Sequence, residues 1–189
     1  MLWYCLHFCY HLVVVQRNVA EAEAQALKWA QCNMEIKVLF VCLGNICRSP
    51  VAEILFEHHL KLMGKESLFY LDSCGTGGWH QGEKADKRMR QTAEANGLSI
   101  IHRARQILQE DFSKFDYILA MDDQNLKDLI ALNEGAREKI FLLSDLSEGY
   151  ISQNIPDPYF GDMKGFENVF NLLNKVTSQV ANTILHKQP

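Results

Sequence analysis

The sequence predicts an α/β fold of three layers, in which a four-stranded parallel sheet is covered by helices on both faces. Two observations carry this prediction. Short apolar runs rich in β-branched residues alternate along the chain with segments of helical spacing. The first apolar run leads through a loop of small and polar residues into a helix. No internal repeat or low-complexity linker interrupts this alternation.

The composition fits an ordinary globular domain and excludes several classes of protein. The 189 residues suit one domain with an extra segment at one end. The formal net charge of −4 gives no indication of the basic face that a nucleic-acid binder would show, so a nucleic-acid partner is not expected. The six cysteines follow neither a secreted disulfide framework nor a zinc-site spacing. We therefore expect neither a metal nor a cofactor.

Residues 1–33 differ from the rest of the chain. The apolar run over residues 1–15 is too short for a membrane span, and it lacks the cationic start of a signal peptide. We expect a dispensable extension, followed by a functional domain over residues 34–189. The protein is then expected to be cytoplasmic, with a targeting role for residues 1–33 as the alternative.

Each predicted element has its own sequence signal. Ser49 and Pro50 suggest the N-cap and first residue of a helix, and Gly64 suggests its end. Residues 144–164 form a long loop, a type that often carries function. The predicted strands cover residues 36–41, 68–73, 117–121 and 140–143, and further helices cover residues 86–95, 124–132 and 166–184.

The segment from Cys42 to Ser49 joins the first strand to the first helix. Backbone N–H groups at a helix N-terminus lack intrahelical partners, and the helix dipole is positive there, so anions bind at such places. Gly44 and Asn45 tolerate the positive φ that a curled loop requires. Arg48 adds a planar guanidinium that can hold two oxygens of an oxyanion. The segment therefore predicts a phosphate-binding loop.

Cys42 is the candidate nucleophile within this loop. A thiol beside a helix N-terminus and an arginine forms a thiolate readily, and a thiolate attacks a bound phosphoryl group. Ser49, the last residue of the segment, can donate a hydrogen bond to the sulfur. The alternative is a small buried cysteine at a strand end. The loop lacks the Gly-Lys-Ser/Thr ending of nucleotide-binding P-loops.

The run VCLGNICRSP, residues 41–50, resembles the signature of the low-molecular-weight protein tyrosine phosphatases. Further similar segments are DSCGTGGW (72–79), ARQI (104–107), EDF (110–112), FDYILAMD (115–122) and DPYF (157–160). The resemblance covers about residues 34–185, and residues 1–33 have no counterpart in it. It implies the flavodoxin-like fold of that family and hydrolysis of phosphotyrosine and aryl phosphates through a cysteinyl-phosphate intermediate.

The resemblance also implies roles for individual residues. Asp157, held between two prolines, corresponds to the family's general acid; from the residues alone it is equally a turn aspartate. Leu43, Trp79 and Tyr159 resemble the walls of the substrate pocket. The residues expected to form or support the phosphate-binding loop are Leu43, Gly44, Asn45, Ile46, Cys47, Ser49, Ser73 and His102.

Three further positions invite specific expectations. In relatives with a second cysteine at the position of Cys47, a reversible disulfide with the nucleophile protects it from over-oxidation, and we expect the same here. Phe160 stands where some relatives have a second tyrosine. Asp122 either supports the loop or caps the following helix, and we favour the cap.

Rival functions lack a sequence feature that they need. An arsenate reductase of this fold requires two relay cysteines, whereas only Cys74 lies beyond Arg48. Related arginine phosphatases tend to carry Thr at the position of Ile46. A binding module without catalysis would be expected to lack the thiol or the acid. We therefore expect a phosphotyrosine-containing protein substrate, no membrane span, and a monomer or weak dimer.

Overall fold

In the computed structural model of the chain, residues 35–150 and 153–187 are described, so the predictions about residues 1–33 lie outside them. The described elements in chain order are β1 (Ile36–Cys42), α1 (Arg48–Met63), β2 (Phe69–Gly75), α2 (Lys87–Ala95), α3 (Asp111–Lys114), β3 (Tyr117–Ala120), α4 (Asp123–Leu132), β4 (Ile140–Leu142) and α5 (Met163–His186). Short 3-10 turns cover Glu66–Leu68, Glu134–Lys139 and Leu143–Leu146.

The four described strands form one parallel sheet in the order β2-β1-β3-β4. β1 is an inner strand, and its last residue, Cys42, pairs with Gly75 of β2. On its other side Val41 pairs with Ala120 of β3. The segment after Cys42 therefore leaves the carboxyl end of the sheet between two neighbouring strands, where ligands bind in open α/β sheets.

Alternate residues of β1 face two separate apolar layers, as the two-residue period of a strand requires. Val38 and Phe40 pack into a cluster with residues of α1, α2 and α5. Leu39 and Val41 pack into a second cluster, with Phe112 and residues of β3 and α4. Helices thus cover both faces of the sheet, and the predicted three-layer fold is confirmed.

The stripe predicted for the last helix is buried along its full length. Its residues Phe166, Val169, Phe170, Leu173, Val176, Val180 and Ile184 are each at most 3% exposed. Their helical spacing places them on one side of α5, which packs against α1 and α2. At the end of α1, Gly64 adopts a left-handed φ of 63° and ends the helix as predicted.

The start of α1 differs from the prediction. The helix begins at Arg48 with Cys47 at the N-cap, so Ser49 does not cap it and Pro50 is its third residue. Ser49 instead turns its hydroxyl toward Cys42 and Asn45 within the loop. Pro50 is tolerated there because the first N–H groups of a helix lack intrahelical acceptors in any case.

β2 extends two residues further than predicted, through Cys74 and Gly75. The extension follows from pairing, since these residues lie opposite Val41 and Cys42 of β1. β3 and β4 each end one residue early, at Ala120 and Leu142. Within the described part of the chain, no helix is both long and apolar enough to cross a membrane.

Glu53 is an ionisable residue of α1 that lies next to Ser73 of β2. Burial raises the pKa of its carboxyl from the usual 4.5 to about 7, against an opposing hydrogen-bond interaction with Ser73. Its Oε2 atom is buried and has no hydrogen-bond partner among the described residues. The folded protein therefore holds a proton on Glu53 at mildly acidic pH that the unfolded chain has already released.

We predict that Glu53→Gln becomes progressively more stable than the wild type as pH rises from 5 to 8. Because the folded-state pKa is raised, the contribution of Glu53 to wild-type stability is fully present below pH 4.5. It is lost as the pH rises from there through 7. The relative gain should reach about 2–3 kcal/mol, since one pKa unit corresponds to about 1.4 kcal/mol. Urea unfolding at several pH values measures it.

Glu57→Gln is the matched control for this experiment. Glu57 lies one turn further along α1 and is exposed, where it pairs with Lys61. Its charge raises the pKa of Glu53 only weakly compared with burial, so the effect of Glu57→Gln on the free energy of unfolding should be small and should vary with pH far less than that of Glu53→Gln. A Glu53→Gln effect that is constant between pH 5 and 8 would contradict the prediction.

Candidate active site

The sulfur of Cys42 has two hydrogen-bond partners within its own loop. The backbone N–H of Asn45 donates to Cys42 Sγ at 3.2 Å. Ser49 Oγ lies 3.1 Å from the same sulfur. Cys42 is only 3% exposed, yet it lines an open pocket. These contacts fix the position of the sulfur at the pocket.

Asn45 gives the loop its curvature. It has a φ of 55°, and it is the one residue other than glycine with a left-handed φ in the described part of the chain. Its buried side-chain amide donates to Ser49 Oγ at 2.9 Å and to Ser73 Oγ at 3.0 Å. Its Oδ1 accepts from the backbone N–H of Arg105 at 2.9 Å. These three bonds hold a backbone conformation that is unfavourable for an L-residue.

His102 supports the same residue through its backbone. His102 Nε2 lies 3.1 Å from the carbonyl oxygen of Asn45, so its N–H donates to that oxygen. Burial lowers the pKa of the imidazole, which keeps it neutral at physiological pH. The expected supporting group of Asn45, Ser49, Ser73 and His102 is therefore brought together around one turn of the loop.

The glycine-rich loop after β2 packs directly on the phosphate-binding loop. Thr76 N–H donates to the Cys42 carbonyl and Gly77 N–H donates to the Leu43 carbonyl, each at 2.9 Å. A side chain at Gly75 would place its Cβ 2.7 Å from the Leu43 carbonyl oxygen. Only glycine permits the two backbones to approach this closely.

Arg48 is almost fully buried, and both terminal nitrogens of its guanidinium have acceptors. Nη1 donates to Asp122 Oδ2 and, at 3.2 Å, to the carbonyl oxygen of Ile155. Nη2 forms a 2.7 Å ion pair with Asp157 Oδ2. Nε is buried and has no acceptor among the described residues. Burial disfavours the charged guanidinium, but the nearby Cys42, Asp157 and Asp122 outweigh it and raise the pKa of Arg48.

Asp122 performs both of the roles that the sequence left open. Its Oδ1 accepts from the backbone N–H of Asn125 at 2.7 Å, which caps α4. Its Oδ2 pairs with Arg48. One carboxylate thus fixes the orientation of the guanidinium by means of a helix that begins at the carboxyl end of β3.

Asp157 lies at the same pocket and is partly exposed, with 41% of its side chain accessible. Its Oδ1 accepts from the backbone N–H of Tyr159 at 3.0 Å, while Oδ2 contacts Arg48. The loop thus brings a carboxyl group into the pocket that also exposes the Cys42 sulfur. This is the arrangement that a proton donor to a leaving group requires.

Aromatic and apolar side chains form the mouth of the pocket, which has a volume of about 180 Å³. Leu43, Trp79 and Tyr159 all line it, as expected from the resemblance. The remaining lining residues are Gly44, Ile46, Cys47, His80 and Phe160, besides the three candidate catalytic residues. Phe160 is 97% exposed and packs edge-on against Tyr159, with ring centroids 5.1 Å apart.

His80 was not predicted as a site residue. It lies beside the mouth between Gly44 and Tyr159, and its Nδ1 contacts Glu83 Oε2 at 2.7 Å. The one sequence signal that could have identified His80 as a site residue is its position directly after Trp79. A hydrophilic residue in a glycine-rich loop has no periodicity from which its direction can be read.

The thiols of the other two described cysteines keep their protons at neutral pH. Cys47 lines the pocket, and burial, reinforced by Asp86, raises the pKa of its thiol far above the usual value. Burial likewise raises the pKa of Cys74, which lies in β2 and is fully buried in the apolar cluster that includes Phe112 of α3. Cys42, Cys47 and Cys74 are all unbridged.

A larger cleft of about 480 Å³ lies elsewhere, lined by residues that include Glu53, Glu57 and His102. It contains no cysteine and no arginine. The described residues also bring no three His, Cys, Asp or Glu side chains together as a metal site. The smaller pocket around Cys42 is therefore the candidate active site, because it combines a thiol, a guanidinium and a carboxyl group.

Comparison with known proteins agrees with this geometry. The family model of the low molecular weight phosphotyrosine protein phosphatases matches residues 37–189. The phosphatase of that name from Schizosaccharomyces pombe is 42% identical over 137 residues, which cover 71% of this chain and 88% of the yeast protein. The enzyme of that name from Sus scrofa is 41% identical over 139 residues, covering 70% of this chain and 85% of the pig protein.

The solved structures agree on the fold. A crystal structure of a protein tyrosine phosphatase from Entamoeba histolytica, with Hepes in the active site, superposes with a TM-score of 0.77. The two chains are 35% identical, and the match covers 80% of this chain and 98% of the amoebic one. The chain belongs to the low molecular weight phosphotyrosine protein phosphatase family.

Proposed function

We propose that the chain hydrolyses phosphotyrosine in protein substrates, and aryl phosphates, through a cysteinyl-phosphate intermediate. The observation that carries this proposal is the convergence of three groups in one pocket: Cys42 Sγ with its two hydrogen-bond partners, the Arg48 guanidinium and the Asp157 carboxyl. Membership in the family supports the same reaction.

The phosphate would bind on the edge of Arg48 formed by Nε and Nη2. Nη1 is already held by Asp122 and the Ile155 carbonyl, whereas Nε has no acceptor among the described residues. A dianionic phosphate can replace Asp157 on Nη2 and form a bidentate pair with this edge. The N–H groups of the loop and of the first turn of α1 complete the oxyanion site.

In the first chemical step, Cys42 Sγ attacks phosphorus, the S–P bond forms and the bond to the aryl oxygen breaks. Asp157 gives its proton to that oxygen, so the product leaves as a phenol. In the second step Asp157 takes a proton from water, which attacks phosphorus and breaks the S–P bond. Ser49 Oγ, 3.1 Å from the sulfur, stabilises the thiolate that leaves.

The shape of the pocket favours phosphotyrosine over shorter phosphorylated side chains. Cys42 is 3% exposed, whereas Trp79 and Tyr159, which line the same pocket, are 73% and 39% exposed, so the sulfur lies deeper than these aromatic side chains. A phosphoserine would have to bring its own backbone down between these side chains. A phosphotyrosine reaches the sulfur with its ring packed against Tyr159 and Leu43, where aromatic contact is favourable.

We predict that Cys42→Ser abolishes hydrolysis of aryl phosphates but retains phosphate binding, since Arg48 and the loop amides remain. Asp157→Ala should lower turnover by about 10²–10⁴-fold, the usual contribution of a general acid. The loss should be largest for phenols that are poor leaving groups, because these need protonation most. Release of phenol is the measurement, and unchanged turnover in Cys42→Ser would eliminate the mechanism.

Asn45 is proposed to act by holding the loop in shape rather than by contacting the phosphoryl group with its side chain. We predict that Asn45→Ala and Asn45→Gly both lose the three amide hydrogen bonds, but that Ala also strains the left-handed φ. The free energy of unfolding of Asn45→Ala should therefore be about 1–2 kcal/mol lower than that of Asn45→Gly. Equal stability of the two variants in urea would contradict this account.

Cys47 is proposed to form a reversible disulfide with Cys42, because both thiols line the same pocket. We predict that mild peroxide inactivates the wild type and that a dithiol restores its activity. In Cys47→Ser the Cys42 sulfenic acid has no thiol with which to condense, so a second molecule of peroxide can oxidise it to a sulfinic acid. A dithiol cannot reduce that product, and part of the activity should be lost for good. Equal recovery of the two proteins, judged by phosphatase activity after reduction, would argue against the disulfide.

A further inference from the structure

A second arginine, Arg88 in the first turn of α2, binds the loop that carries Asp157. Its Nη2 donates to the carbonyl oxygen of Tyr159, and its Nη1 donates to that of Gly161, both at 2.9 Å. Arg88 does not line the pocket. It contacts the backbone that directly follows the proposed acid and lies 5.9 Å from the ring centroid of Tyr159, so its effect on the site is indirect.

Arg88 is itself held rigidly. Asp86 accepts from Arg88 Nε at 3.1 Å and from Nη2 at 2.9 Å, and it also caps α2 through the Arg88 N–H. The guanidinium lies 4.3 Å from the ring centroid of Phe166 in α5. Burial tends to raise the pKa of Asp86, but the hydrogen bonds from Arg88 outweigh it and lower that pKa, so the pair stays charged.

The same pair is joined to the phosphate-binding loop. The backbone N–H of Asp86 donates to the carbonyl oxygen of Ile46 at 2.8 Å. Ile46 belongs to the loop that curls around Cys42. Asp86 and Arg88 therefore connect the loop that holds the nucleophile to the loop that holds the acid, by way of the start of α2.

This connection matters most when phosphate is bound. In the ligand-free arrangement Asp157 is held by Arg48 and by the Tyr159 N–H. If the phosphate takes Arg48 Nη2, the first of these contacts is lost. The segment before the acid stays anchored because Ile155 N–H donates to the Met121 carbonyl at 2.8 Å. The segment after it is anchored by Arg88.

We propose that Arg88 is a positioning residue, which holds the Tyr159–Gly161 backbone so that Asp157 stays within reach of the leaving oxygen after Arg48 has bound the phosphate. The inference rests on the proposed function, because it requires Asp157 to be the proton donor. Lysine cannot replace this arginine, since a single ammonium group cannot bind two carbonyls and a carboxylate in the plane of a guanidinium.

The test compares phenyl phosphate, which has a poor leaving group, with 4-nitrophenyl phosphate, which has a good one. Arg88→Met keeps the apolar contact with Phe166 but removes every hydrogen bond of the guanidinium. It should lower kcat/KM for phenyl phosphate by about 10–100-fold, the usual cost of a displacement of about 1 Å, and by less than about threefold for 4-nitrophenyl phosphate. A change in the aromatic wall would affect both aryl rings alike and cancel in the ratio.

The double variant shows whether Arg88 acts through the acid. In an Asp157→Ala background, adding Arg88→Met should change kcat/KM for phenyl phosphate by less than about twofold, because coupled residues are not additive. A further full loss in that background, or equal losses for the two substrates in Arg88→Met, would overturn the inference alone. If Asp157→Ala has no effect by itself, the acid assignment fails, and the inference fails with it.

Three controls separate positioning from general damage to the fold. Lys87→Met removes a positive charge from an exposed neighbouring position of α2 and should leave the substrate ratio unchanged. Competitive inhibition by inorganic phosphate should stay within about twofold in Arg88→Met, because the phosphate-binding loop remains. Arg88→Lys keeps the charge beside Asp86, and it should still show the altered ratio; a wild-type ratio in a folded Arg88→Lys protein would overturn the inference.

Discussion

The left-handed turn at Asn45 is the constraint on which the site depends. Without it the loop after β1 would run straight into α1, and the Asn45 N–H would not reach the Cys42 sulfur. The turn is unfavourable for a residue with a side chain, so it needs the bonds from Asn45 to Ser49, Ser73 and Arg105. Those partners belong to α1, to β2 and to the segment before α3. The sheet and its helices thus determine the shape of an eight-residue loop.

The buried charge of Arg48 imposes a second constraint, because a guanidinium inside a protein is costly unless it is paired. Asp122 and Asp157 supply the pairing, and they do so from different kinds of structure. Asp122 is fixed by its cap on α4, whereas Asp157 lies in a partly exposed loop. One carboxylate therefore orients the arginine permanently, while the other occupies a place that a phosphate can take.

Much of this architecture could be predicted from the sequence, because its signals are local. The apolar run of β1, the Gly/Asn loop, the stop at Gly64 and the stripe of α5 are each read within a few residues. The contacts of Arg48 could not be read in that way, since Asp122 and Asp157 are 74 and 109 residues away. Ser49 shows the limit most clearly: its type and position suggest a helix cap, but the tertiary contact with Cys42 and Asn45 takes its hydroxyl.

The two arginines divide the work in a way that follows from their surroundings. In the proposed mechanism Arg48 exchanges one anion for another when a phosphate displaces Asp157, so its buried charge is never left unpaired. The proposed exchange would leave the Asp157 carboxyl beside the bound phosphoryl group, from which position it can give a proton to the departing phenolate. Such a carboxyl group must stay in place without the ion pair that held it before. Arg88 meets that need from outside the pocket, because its own partners, Asp86 and the ring of Phe166, do not change when the phosphate binds.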